Sequence, residues 1–161
     1  MEDIGNFFKE VLNKKLAVIG VGSELRGDDG VGPYLCEKLS DLNSDNFLSI
    51  NGGLVPENFT SELRKFKPDL VILIDAALMD KQIGSLDIIK INESMGISFS
   101  SHSIPLSVLG KYISKYIGAE VYVLGIQACN LNFGSDISNE VKETADKIYE
   151  TIKSNIKTRK Y

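Results

Sequence analysis

Three side chains in this 161-residue sequence have the types and positions to do chemistry together: Asp29, Asp75 and His102. Asp29 closes the pair Asp28-Asp29 in "GVGSELRGDDG", directly behind the apolar run "LAVI". Asp75 ends a second apolar run, "LVILID". His102 is the only histidine and stands in "SSHSIP", just ahead of Pro105. Two carboxylates and one imidazole suit a borderline divalent cation such as Zn²⁺ or Ni²⁺. They suit general acid–base work equally well. The three are widely separated in the chain and match no compact local metal motif. Each also has a plainer reading. An aspartate at a helix start caps an orphan N–H, worth about 1 kcal/mol, which accounts for one of the paired acids but does not need the second. Asp75 can cap a turn or form a salt bridge, since a charge ending a buried run is costly unless partnered. His102 belongs to no apolar stripe and can be a surface residue.

Other chemistries fit less well. The stretch behind residue 19 has the strand–glycine–helix layout of a nucleotide loop, but the third glycine of G-x-G-x-x-G is replaced by Leu25. No Gly-Lys-Ser/Thr triplet follows. A helix N-terminus attracts anions, and two aspartates already placed there would repel a phosphate. No G-x-S-x-G elbow is present. A serine triad built on Asp75 and His102 stays open, with nothing to select the serine. Cys36 lies beside an apolar helical stripe and reads as packing. Cys129 follows a buried strand and would have to share His102 as its base.

The elements that must position these residues alternate in type. Helical spacing predicts an amphipathic helix over 3–13, and helices over about 30–42, from Pro56 through Phe66, over about 104–117, and from an N-cap at Ser138 onward. The helix at 104–117 presents Ile104, Val108, Tyr112 and Tyr116. The last helix buries Val141, Ala145, Ile148 and Ile152. Apolar runs predict strands at 16–22, 47–50, 69–77, 84–91 and 120–127, with 69–77 central and 84–91 less buried. Strands alternating with helices give an α/β fold, a mostly parallel sheet with helices on both sides. In such sheets ligands bind outside the carboxyl ends of the strands.

The bulk numbers narrow the setting. Lys plus Arg is 18 against 22 for Asp plus Glu, a net charge of -4, so no basic field exists for nucleic acid. Two cysteines make no disulfide framework. The first residues lack the apolar centre of a secretory leader, and no stretch is long enough to span a bilayer. The expectation is a soluble cytoplasmic protein of one domain over residues 1–161, with residues 1–14 as a helical extension.

The stretch "GVGSELRGDDGVGP" resembles the N-terminal signature of the hydrogenase maturation endopeptidases. The likeness continues through "NGGLVPENFTSEL", "DLVILIDAA", "SHSIPLSVL" and "VYVLGIQACNLNFG", from about residue 15 to 153. "GIQ" and "SHSIPL" look most like the formate-hydrogenlyase branch and its archaeal relatives. The resemblance implies a three-layer α/β sandwich with a five-stranded sheet. It also implies a peptidase with no metal of its own. Such an enzyme finds nickel already installed in the large-subunit precursor of a nickel–iron hydrogenase, then cuts off a C-terminal extension. Zn or Cd can occupy the same site. Carried over by motif, the nickel-binding residues are Asp29, Asp75 and His102, with Asp28 as the capping or orienting neighbour. Nickel then either takes part in the cleavage or serves as a recognition anchor while a carboxylate activates water. The family usually has Asn after "GVG"; this chain has Ser23, whose hydroxyl can also bond backbone. Cys129 is not a position associated with the family's function. The partner implied is the large-subunit precursor, met by a monomer, with no nucleic acid and no membrane. Two other readings remain open: a non-catalytic nickel-dependent checkpoint or chaperone, and a nucleotide-binding module.

Overall fold

Apolar runs without alternation fit strands covered on both faces. Two such runs form β1 (Leu16–Val21) and β3 (Leu70–Leu78), buried at every residue except Leu78. The computed structural model describes residues 4–91, 98–99 and 105–159. In it β1 and β3 run parallel, with Gly20 level with Ile74. β2 (Phe47–Gly53) pairs parallel with the other side of β1. The strand β4 (Leu86–Lys90) lies antiparallel at the far edge, and the two-residue β5 (Ser98–Phe99) pairs antiparallel with the end of β3. Between β3 and β4 runs β6 (Glu120–Gln127), parallel to β3. The order is therefore β2-β1-β3-β6-β4. These five strands are the expected mostly parallel sheet, with the two-residue β5 as a sixth, off the main order. The half-buried pattern of β4 follows from its edge position.

Helices cover both faces. One face packs α1 (Ile4–Val11), α2 (Val31–Leu39) and α5 (Asn139–Arg159) over Ile72, Ile74 and Ile126. Val141, Ala145, Ile148 and Ile152 of α5 are fully buried there, as their spacing predicts. The other face packs α3 (Thr60–Phe66) and α4 (Leu106–Tyr116) over Val71, Leu73 and Val123. Pro56 opens a 3-10 turn, Pro56–Phe59, that leads into α3. The stripe expected on α4 needs correction. Its buried residues are Leu106, Leu109, Gly110 and Ile113, while Val108 and Tyr116 face outward. Tyr112 and Tyr116 meet at a tilted angle outside the core, and Tyr112 also meets Arg64 of α3. Ile104 lies outside the described residues. Among the described residues no helix is long and apolar enough to cross a membrane.

The topology fixes where a site can be. The chain leaves β1 toward β2 on one side and returns to β3 on the other. The carboxyl ends of β1 and β3 thus flank a switch point, where crevices form in such sheets. Helix α2 starts directly over this point, backbone against backbone. A Cβ at Gly32 would lie 2.4 Å from the Ile74 carbonyl oxygen and 2.7 Å from the Val21 nitrogen. A Cβ at Gly20 would lie 2.2 Å from the Gly32 oxygen. No flexible side-chain end is there to give way. Gly32→Ala is accordingly expected to destabilise the fold by about 2 kcal/mol or more, as overpacking does. A denaturation midpoint equal to that of the wild type would contradict this contact.

Candidate active site

The turn after β1 carries the first acids. Gly22 leaves the strand with φ +131°, a conformation L side chains avoid, and its N–H donates to the Gly53 carbonyl at 2.8 Å. A Cβ there would lie 1.9 Å from the Asp29 carbonyl oxygen and 3.0 Å from its Oδ1. The Ser23 N–H donates to Asp29 Oδ2 at 2.9 Å, and the Ser23 hydroxyl accepts from the Leu25 N–H at 3.2 Å. Serine at this position therefore does bond backbone. Asp28 and Asp29 sit on a 3-10 turn, Gly27–Gly30, that runs into α2. Both are 0% exposed.

Their carboxylates do different things. Asp28 Oδ2 accepts from the N–H of Cys129 at 2.7 Å, the N–H of Asn130 at 3.0 Å and the hydroxyl of Ser138 at 2.8 Å. Its Oδ1 accepts from the Ser138 N–H at 2.6 Å. Asp28 is thus saturated, and it does not cap its own helix as expected. No side-chain cap bond is made at the start of the 3-10 turn or of α2. Instead it stitches the acidic turn to the loop between β6 and α5. The Ser138 carbonyl accepts from Lys142, so the same carboxylate holds the residue at which α5 starts. Three backbone bonds reinforce the seam: Asp28 N–H to Asn130 at 2.8 Å, Gly27 N–H to Ser135 at 3.0 Å and Gly134 N–H to Leu25 at 2.8 Å.

Asp29 is not saturated. Its Oδ1 is buried without a hydrogen-bond partner, and no other buried side-chain polar atom among the described residues is in that state. Leaving a buried acceptor unmade costs roughly 1–3 kcal/mol, and more for a charged group. Such an atom keeps its capacity to accept a further donor or a cation.

Asp75 is also 0% exposed, near the carboxyl end of β3, level with Gly125 of β6. By strand alternation it belongs to the face of Val71 and Leu73, the face covered by α4. The 3-10 turn of Asp29 packs against β3. The structure therefore brings Asp29 and Asp75 to the same end of two adjacent strands. His102 lies outside the described residues; α4 starts a few residues after it. Among the described residues no three His, Cys, Asp or Glu side chains are grouped to hold a metal.

The remaining polar side chains sort by burial. Cys36 is in the core, and burial pushes its thiol up to about 12, so it is no nucleophile near neutral pH. Cys129 is exposed beside the Asp28 seam. Gln127, at the end of "GIQ", accepts the N–H groups of Met79 at 2.8 Å and Lys81 at 3.3 Å, fixing the chain beyond β3. Sequence reading gave Gln127 no role. Its one signal was a polar residue closing an apolar strand.

Comparison with known proteins agrees with this architecture. The family model described as hydrogenase maturation protease matches residues 33–155. The chain belongs to the hydrogenase maturation proteases. It is 44% identical over 147 residues to a putative hydrogenase maturation protease of Methanocaldococcus jannaschii, covering 86% of both chains. It is 31% identical to the hydrogenase 3 maturation protease of Escherichia coli, over 82% of this chain and 85% of the relative. The crystal structure of a NiFe hydrogenase maturation protease from Thermococcus kodakarensis superposes with a TM-score of 0.84 at 29% identity, covering 94% of this chain and 99% of that one. This hydrogenase maturation protease is therefore a peptidase.

Two outcomes follow from the site's packing. Asp28→Ala leaves three backbone N–H groups without their acceptor and should lower stability by about 2–4 kcal/mol, read as a shifted denaturation midpoint. An unchanged midpoint would contradict the seam. Alkylation of the native protein at pH 8 should modify Cys129 alone, with Cys36 reacting only after unfolding. Labelling of both thiols in the native state would contradict the burial of Cys36.

Proposed function

We propose that this peptidase removes the C-terminal extension of a nickel–iron hydrogenase large-subunit precursor after nickel insertion, recognising the substrate-bound nickel through Asp29, Asp75 and His102. The observation that carries this reading is the buried, unpartnered Oδ1 of Asp29 at the switch point of the sheet. A carboxylate in that state is prepared for a cation, and the acid at the end of the neighbouring strand adds a second oxygen donor. An imidazole completes a donor set suited to Ni²⁺. Nickel here is part of the substrate. Zn²⁺ or Cd²⁺ takes the same donors when nickel is missing.

The names of the relatives support the substrate class. One is a protease of hydrogenase 3 and another of a NiFe hydrogenase. In this reading the chain's own groups hold the metal-bearing segment against the sheet edge. A nickel so held can polarise the scissile carbonyl or lower the pKa of a bound water. Alternatively, it anchors the substrate while a carboxylate takes the proton from the attacking water. The protein acts as a cytoplasmic monomer on the folded precursor.

Replacement of any of the three residues by Ala should lower trimming by about two orders of magnitude or more, read as intact mass of the precursor after incubation. Asp29→Asn sharpens the test. The amide oxygen can still accept from Ser23, while a buried charge is removed, so the melting temperature should hold or rise as trimming is lost. Trimming that survives the substitutions would overturn the site assignment.

A further inference from the structure

The acidic turn is bordered by large apolar side chains that the fold holds in solvent. Leu25 is 62% exposed and Phe133 is 78% exposed. The Gly134 N–H donates to the Leu25 carbonyl, so the two loops that carry them are in direct contact. On the other side, Gly53 accepts from Gly22, which places Leu54 and Val55 next to the same turn; they are 48% and 43% exposed. These four make up most of the large exposed hydrophobic side chains among the described residues. The Asp28 carboxylate and the paired backbone bonds pin residues 25–28 and 129–138 to each other. Large apolar side chains gathered in solvent around one turn mark a contact with another molecule.

The neighbouring charges say what that molecule is. Asp28, Asp29 and Asp75 are buried carboxyl groups at the carboxyl ends of β1 and β3, and Asp29 has an oxygen unspent. A free metal ion needs the anions but no apolar rim. An apolar ligand needs the rim but no buried anions. A cation embedded in a polypeptide surface needs both. We infer that Leu25 and Phe133, with Leu54 and Val55 across the turn, form the docking rim for the apolar protein surface that surrounds the metal in the substrate. The inference rests on the proposed function and adds the surface through which the partner is held. Asp28 acts in it indirectly, as the residue that joins the two loops of the rim.

The test is binding to the immobilised, nickel-loaded large-subunit precursor encoded in the same genome, followed by interferometry, with the precursor's mass taken afterwards. Leu25→Ser/Phe133→Ser should weaken Kd by about tenfold or more, since apolar and aromatic anchors carry most of an interface's energy. Its melting temperature should match the wild type, because both side chains are exposed. Val108→Ser, a change at another exposed apolar residue, on α4, should leave Kd within about twofold, as expected for a residue outside the interface. A double variant that binds like the wild type, a control that weakens as much, or a wild type that does not bind would each overturn the rim. A wild type that binds through the rim but leaves the precursor's mass unchanged would overturn the proteolytic reading and leave the rim standing.

Discussion

Two carboxylates occupy consecutive positions of one turn with no access to water, and most of the surrounding chain is arranged to meet that constraint. Burying a charge is costly unless donors replace the lost hydration. Asp28 receives that replacement in full, from three N–H groups and one hydroxyl. Asp29 receives one donor, Ser23 N–H, and keeps one oxygen bare. The asymmetry divides the labour between two chemically identical residues. One holds the structure together and the other is left with capacity to bind.

The backbone had to come close for this to work. Glycine at 20, 22 and 32 lets β1, the acidic turn and α2 lie against each other with no side chain between them. Ile74, one residue before Asp75, is the point on β3 that α2 touches. The contact that seats the helix therefore also sets the first acid above the strand that carries the second. A nucleotide loop uses the same layout to aim N–H groups at a phosphate. Here buried carboxylates stand where the anion would sit.

The positions of all five main strands were legible in the sequence, because β1 and β3 are apolar runs, the second broken only by Asp75, and the stretch 84–91 alternates in its second half. The buried face of α5 was legible for the same reason: Val141, Ala145, Ile148 and Ile152 repeat at helical spacing. The face of α4 was misread, since Tyr112 and Tyr116 fit the spacing but meet each other outside the core, with Tyr116 exposed. The role of Asp28 could not be read, because its partners are Cys129, Asn130 and Ser138, at the far end of the chain. A local pattern offered only capping. The exposure of Leu25 and Phe133 was equally hidden, since nothing in an apolar side chain says that it will lie outside the core. Asp29, Asp75 and His102 were singled out by residue type and position; the fold sets the two acids at the same end of adjacent strands, and His102 lies outside the described residues.

The account turns on the bare oxygen of Asp29 being meant for a metal that the substrate carries. The most direct measurement is the intact mass of the large-subunit precursor after incubation with this protein, taken in parallel on nickel-loaded and nickel-free precursor. The account predicts loss of the C-terminal extension from the nickel-loaded form only. Equal cleavage of both forms would contradict it.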